Sequence, residues 1–220
     1  MTVEKRKIPA VVVCGTRSTD MNDKAGAYVH EWAESGVREL TRCGRFQVIS
    51  LFGKAATVQR IDSALRTVQR RKGLVVFYGH GCVNAECLFS CDNEGRHQRL
   101  AGFTPSNCNL LKNKIVYVVA CHSAKMHGRR SVAHGARCYI GYMDQIVVRP
   151  EPAFSESVNA GLSVLADKQG CYKAWDAIRS KYRTYYRQYV RDKKTLAIAL
   201  SLYINLDALA KPTGNSMAYV

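Results

Sequence analysis

The strongest constraint on this chain is a pair of uninterrupted apolar runs, each ending on a residue able to do chemistry. The first reads Gly73-Leu-Val-Val-Phe-Tyr-Gly-His80-Gly81, and the second Lys114-Ile-Val-Tyr-Val-Val-Ala-Cys121-His-Ser-Ala124. Hydrophobicity that does not alternate with polar residues marks a strand buried on both faces, as in a parallel sheet covered by helices. Open α/β sheets bind and react at the carboxyl ends of their strands. A His-Gly leaving one such strand and a Cys leaving the next therefore put an imidazole and a thiol on one edge.

The rest of the chain supplies the alternation that such a sheet needs. Ile8 to Cys14 reads as a first strand, Asp23 to Arg42 as a helix and Phe46 to Phe52 as a second strand. Thr57 can cap the next helix, whose apolar positions Val58, Ile61, Leu65 and Val68 recur at spacings of three and four. After the strand from Leu74, Cys82 to Cys91 reads as a small hairpin and Asp92 to Gly102 as a polar surface loop. Thr104-Pro105 is a helix-start signal, with a capping hydroxyl and Pro at the first position. Beyond Cys121 the pattern predicts a helix over Lys125–His134, a strand from Arg137 to Ile140, and a helix over Ala153–Ala166 opened by Pro150 and Pro152. A long helix from Tyr172 to about Asp192 and a last one over Thr195–Leu209 complete it. This is an α/β chain without internal repeats, a three-layer sandwich with a mainly parallel sheet. The expected organisation is a basic tail at 1–7, one domain at 8–210 and a loose tail at 211–220.

Composition sets the surroundings. The chain has 220 residues, enough for one domain with a real core, and its 47% hydrophobic content excludes disorder. The charged start at Met1–Lys7 lacks a secretory pattern, and the apolar stretch Leu196–Ala210 is broken by Ser201, Asn205 and Asp207. No membrane partner is expected, and with nine scattered cysteines a reducing cytoplasm is the expected compartment. The net charge of +16 favours acidic proteins or nucleic acid as partners.

Tyr-Gly-His80-Gly81 together with Ala-Cys121-His-Ser resembles the caspase-like (clan CD) superfamily of cysteine peptidases. Metacaspases carry a similar Gly-His-Gly and Cys-His-Ser. The closer likeness is to bacterial CHAT-type peptidases, whose Ala-Cys-x-Ser segment precedes a strand matched here by Gly135-Ala-Arg-Cys-Tyr-Ile-Gly-Tyr142. The resemblance covers about residues 8–190 and implies a caspase-like fold and cysteine endopeptidase activity on protein substrates. It also implies roles: Cys121 as nucleophile, His80 as base, and the backbone N–H groups of Gly81 and Cys121 as the oxyanion hole. A dyad suffices in this superfamily, and no cofactor is implied. Bacterial relatives often serve in stress or antiviral defence, switched on by an upstream protease or sensor. In the metacaspases that cut after Arg or Lys, an Asp stands two residues before the nucleophile; here that position is Val119. Asp144 is then a candidate for a pocket taking a basic P1 side chain, whereas Arg17, in the loop after the first strand, is where relatives preferring acidic P1 often place an Arg; Asp20 shares that loop as a further candidate for substrate contact. Processing in a loop is also implied, with Lys125–Arg130 matching in position. His122, next to the nucleophile, is expected to pack or orient the loop rather than act as the base.

Two further patterns compete for attention. Cys82, Cys87, Cys91 and His97 do not have the spacing of a standard zinc site, and no metal is expected. On the long helix Tyr172, Trp175, Ile178, Tyr182, Tyr185 and Tyr189 define a core face, while Arg179, Arg183, Arg187 and Arg191 recur every four residues as a basic stripe. The rival to a peptidase is therefore a catalytically silent caspase-like scaffold that binds nucleic acid or an acidic protein through this surface. A phosphate-binding enzyme is disfavoured because no Gly-rich fingerprint follows the first strand.

Overall fold

A computed structural model describes residues 7–16, 24–81, 88–89, 101–103 and 107–215. Six strands form the central sheet in the order β2-β1-β3-β6-β7-β8. They are β1 (Ile8–Cys14), β2 (Phe46–Phe52), β3 (Gly73–Tyr78), β6 (Lys114–Val119), β7 (Cys138–Ile140) and β8 (Thr213–Gly214). All neighbouring pairs are parallel except β7 with β8. Six helices flank the sheet: α1 (Lys24–Arg42), α2 (Val58–Val68), α3 (Met126–Ala133), α4 (Pro152–Ala166), α5 (Cys171–Tyr189) and α6 (Leu196–Ala208). This mainly parallel, helix-covered sheet is the caspase-like sandwich expected from the sequence.

The continuous apolar runs become strands because each face of the sheet has its own cover. Successive residues of a strand point to opposite faces. Thus Ala10, Val12 and Cys14 of β1, Leu74, Val76 and Tyr78 of β3, and Ile115, Tyr117 and Val119 of β6 pack in one core with residues of α1, α4, α5 and α6. The intervening Val11, Val13, Val75, Phe77, Val116 and Val118 join a second core with Ile61, Leu65 and Val68 of α2. Both faces are buried, so no polar residue is tolerated between the apolar ones. Full burial of each such side chain contributes on the order of 2 kcal/mol.

Local signals behave as their chemistry requires. The Thr57 hydroxyl accepts from Arg60 N and starts α2, and Pro152 occupies the first turn of α4. Several expectations are corrected. The strand β4 (Leu88–Phe89) pairs with β5 (Ala101–Phe103), which makes Ala101 and Gly102 strand instead of loop, and Leu88 also bridges Gly81; the rest of the expected hairpin and loop, 82–87 and 90–100, lies outside the described residues. The helix start expected at Thr104-Pro105 also lies outside them; beyond it Cys108–Leu111 is a 3-10 turn, and Asn113 turns left-handed (φ 65) before β6. Lys125–Arg130, matched in position to a processing loop, is largely the start of α3, a form that does not fit a peptidase cleft without unwinding. Tyr172 is 48% exposed at the first turn of α5, where it leans on Trp175 instead of joining the core. Thr213 and Gly214, placed by sequence in a loose tail, edge the sheet.

Candidate active site

The register of the two central strands sets the site. Tyr78 lies opposite Val119 at the carboxyl ends of β3 and β6. His80 and Cys121 each follow that pair by two residues, so both leave the same edge from adjacent strands. Gly79 N donates to Val119 O at 3.2 Å and carries the pairing one step further. His80 is exposed and Cys121 is half-buried.

The next residue brings the two segments into backbone contact. A Cβ placed on Gly81 would lie 1.8 Å from the Cys121 carbonyl oxygen and 2.9 Å from its carbonyl carbon. No side chain fits there. Gly81 is needed because the main chains touch, which is a different reason from keeping a substrate path open. It also bridges to Leu88 of β4, so the small hairpin hangs from this corner.

Beyond β6 the chain turns sharply. His122 adopts the left-handed conformation (φ 55), an arrangement that is uncommon outside Gly and enriched for His. Its N–H donates to Asp144 O at 3.1 Å, and its buried ring turns Nδ1 toward Asp144 Oδ1 at 3.6 Å. His122 therefore ties the Cys121 turn to the segment after β7. Ser123 is also buried, and its Oγ accepts from Tyr142 N at 3.1 Å, which is a structural rather than a nucleophilic use.

The segment after β7 borders the sulfur. Ile146 N donates to Cys121 Sγ at 3.4 Å, and the sulfur lies 4.0 Å from Ile146 O. This extended stretch, 145–149, has no signature in the sequence. Asp144 precedes it with a 72% exposed side chain whose Oδ1 accepts from Gln145 N. Among the proposed specificity residues, Asp144 thus shares the edge with Cys121. Arg17 and Asp20 lie outside the described residues, as do Cys82, Cys87, Cys91 and His97. Val119, the position of the metacaspase Asp, is fully buried in the core.

Chemically, this edge presents a thiol with a backbone N–H donor at the sulfur and an imidazole from the neighbouring strand end. Thiol and imidazole at such an edge are suited to acyl transfer, with the imidazole moving protons near neutral pH. Among the described residues no group of three or more potential metal ligands comes together, and no helix is long and apolar enough to cross a membrane.

The arginine stripe runs along α5 as far as Arg187, with Arg191 just past the helix end at Tyr189. Arg183, Arg187 and Arg191 are exposed, and Thr184, Arg187, Gln188 and Arg191 line an open cleft. Arg179 instead stacks over the Trp175 ring at 4.4 Å, a cation–π contact that ties it to the helix.

No protein-family model matches the sequence, and no curated protein does. Solved structures do match. The Arg-specific cysteine proteinase gingipain R superposes with a TM-score of 0.61 at 13% identity, over 96% of this chain and 47% of that one. A complex of Porphyromonas gingivalis RgpB pro- and mature domains gives 0.61 at 11% identity, over 97% and 48%. The chain spans about half the length of these proteins. At such identity the likeness establishes a shared fold.

Proposed function

We propose that the protein is a cysteine endopeptidase in which Cys121 is the nucleophile and His80 the general base. The observation that carries this reading is the register: His80 and Cys121 each stand two residues past the Tyr78–Val119 pair, with Gly81 pressed on the Cys121 backbone. The likeness in fold to two gingipain structures supports it. His80 takes the thiol proton, and the thiolate attacks the scissile carbonyl. The N–H groups of Gly81 and Cys121 stabilise the oxyanion, an effect worth about 3 kcal/mol per donor in a serine enzyme. His80 then returns the proton to the leaving amine, and water, activated by the same imidazole, hydrolyses the thioester.

Within this reading the P1 residue is basic. Asp144 projects an exposed carboxylate beside the Cys121 turn, and the gingipain neighbour is itself described as Arg-specific. The physiological setting, by resemblance to CHAT-type peptidases, is a bacterial stress or antiviral defence pathway in the cytoplasm. There an upstream protease or a sensor acts as trigger. The test is labelling with a peptidyl acyloxymethyl ketone followed by mass mapping, with a positional peptide library for P1. Modification at Cys121 and cleavage after Arg or Lys are expected. Modification elsewhere removes the dyad, and equal cleavage after Arg and Leu removes the basic preference.

A second reading keeps the fold and drops catalysis. The exposed Arg183, Arg187 and Arg191, the last two lining one cleft, favour an acidic protein or nucleic acid as the ligand of a scaffold. Binding in a gel shift at low salt, by a protein that no warhead labels, would establish it in place of the peptidase.

A further inference from the structure

The stretch beside the Cys121 sulfur is held from behind by side chains of α6, chief among them Asn205. Asn205 is fully buried. Its Oδ1 accepts from Val147 N at 2.6 Å, and its Nδ2 donates to Val147 O at 2.9 Å. One amide thus satisfies both backbone groups of one residue, as a neighbouring strand would. The gripped Val147 N–H shares its peptide with Ile146 O, which lies 4.0 Å from Cys121 Sγ, so the grip fixes Ile146 from its carboxyl side; the Ile146 N–H, one peptide earlier, donates to the same sulfur at 3.4 Å. One turn earlier on α6, Ser201 Oγ accepts from Arg149 Nε at 2.8 Å, so the same helix face grips the stretch twice.

We propose that Asn205 is a positioning residue for the Cys121 thiol: by holding Val147 it keeps the Ile146 N–H aimed at the sulfur. A donor aimed at sulfur stabilises negative charge there, so the grip favours the reactive thiolate. Its catalytic consequence rests on the peptidase reading, whereas its chemical consequence does not, because thiol reactivity is measured without a substrate. Nothing in the local sequence marks Asn205 for this task. It interrupts an apolar helix at the one position that reaches the Val147 backbone.

The test is the pH profile of Cys121 alkylation by iodoacetamide, read by peptide mass mapping. It compares wild type with Asn205→Leu, Asn205→Ser and Leu202→Ala. Leu202 is fully buried on the same helix, and its truncation loosens the core without removing the amide. Both Asn205 variants are expected to slow Cys121 alkylation at neutral pH by about five-fold, the worth of one hydrogen bond, and to move the profile to higher pH. Leu202→Ala is expected to lower the melting temperature with the profile in place. An unmoved profile in both Asn205 variants overturns the proposal, and so does an equal shift in Leu202→Ala. If the Asn205 variants shift the profile while wild type cleaves no peptide, the positioning role stands and the peptidase reading falls. Peptide cleavage with an unmoved profile gives the reverse.

Discussion

The two edges of the central sheet use similar backbone for opposite ends. At the amino edge, Lys114 opens β6 fully buried, and its ammonium donates to the carbonyls of Val68, Gln69, Arg71 and Lys112. Burial, with the Arg71 charge beside it, holds that amine down to about 8. The charge gathers the Val68 carbonyl, which also accepts from Arg71 N, with the carbonyls of the turn that follows α2. At the carboxyl edge, the imidazole of His80 is exposed, Cys121 is half-exposed and His122 takes a strained left-handed turn. One edge consumes its polar groups in its own closure, while the other leaves His80 and Cys121 accessible, and each edge has one left-handed residue beside it, Asn113 and His122. That division separates residues kept for stability from residues kept for chemistry.

The contrast can be broken most severely at the carboxyl edge. Cys121→Ala is expected to reduce peptide cleavage to background, and His80→Ala to lower it by about 10²–10⁴-fold. Both should leave the melting curve near wild type. Loss of cleavage accompanied by unfolding would erase the distinction between the edges.

Gly81→Ala comes next. Its Cβ would meet the Cys121 carbonyl oxygen at 1.8 Å, and the resulting displacement is expected to cost about 10²-fold in kcat/KM and about 1–3 kcal/mol of stability. Gly44→Ala, just before β2 at the amino edge, has φ +68 and nothing within 4 Å. It should cost about 1 kcal/mol and no activity. Equal effects on activity from the two alanines would contradict the division.

A smaller effect is expected from His127 in α3, whose ring lies 3.0 Å from the Tyr139 hydroxyl. Burial pushes its imidazole down from 6.5 to about 4. As pH falls through 6.5 the unfolded chain takes up a proton that the folded chain refuses, so stability should drop between pH 6.5 and 4 by about 3 kcal/mol. Urea titrations across that window should show the slope, and His127→Phe should flatten it. Lys114→Met bears on stability alone: it should cost about 2 kcal/mol by removing the donor to the carbonyls of Gln69 and Arg71, with kcat/KM unchanged.

Much of the fold was legible because it rests on burial of whole strands. β1 falls at Ile8–Cys14, as a strand covered on both faces needs a continuous apolar run, and the edge strand β2 falls at Phe46–Phe52 with Gln47 and Ser50 exposed among its apolar residues. The neighbouring ends at His80 and Cys121 followed from the same runs. What escaped depends on single long-range contacts. The partner of Leu88–Phe89 is the short Ala101–Phe103, whose three residues carry no periodicity. Thr213–Gly214 reads as tail because two small residues on an edge need no hydrophobic pattern. The 145–149 stretch and its grip by Asn205 are set by tertiary geometry, and an Asn in an apolar helix reads only as an interruption.

The tyrosines of the interior carry a spectroscopic consequence. Tyr78, Tyr117 and Tyr142 lie enclosed on one side of the sheet with Tyr182 among them, Tyr139 lies in the core of the other side, and burial drives each phenol upward, that of Tyr182 to about 12. Their hydroxyls are spent inside, Tyr78 on Asn159 and Tyr117 on the Val158 carbonyl. In mild alkali the phenolate absorbance of the intact molecule therefore counts only its outer tyrosines. The silent remainder appears when the sandwich opens, which gives the protein an intrinsic optical reporter of its own unfolding.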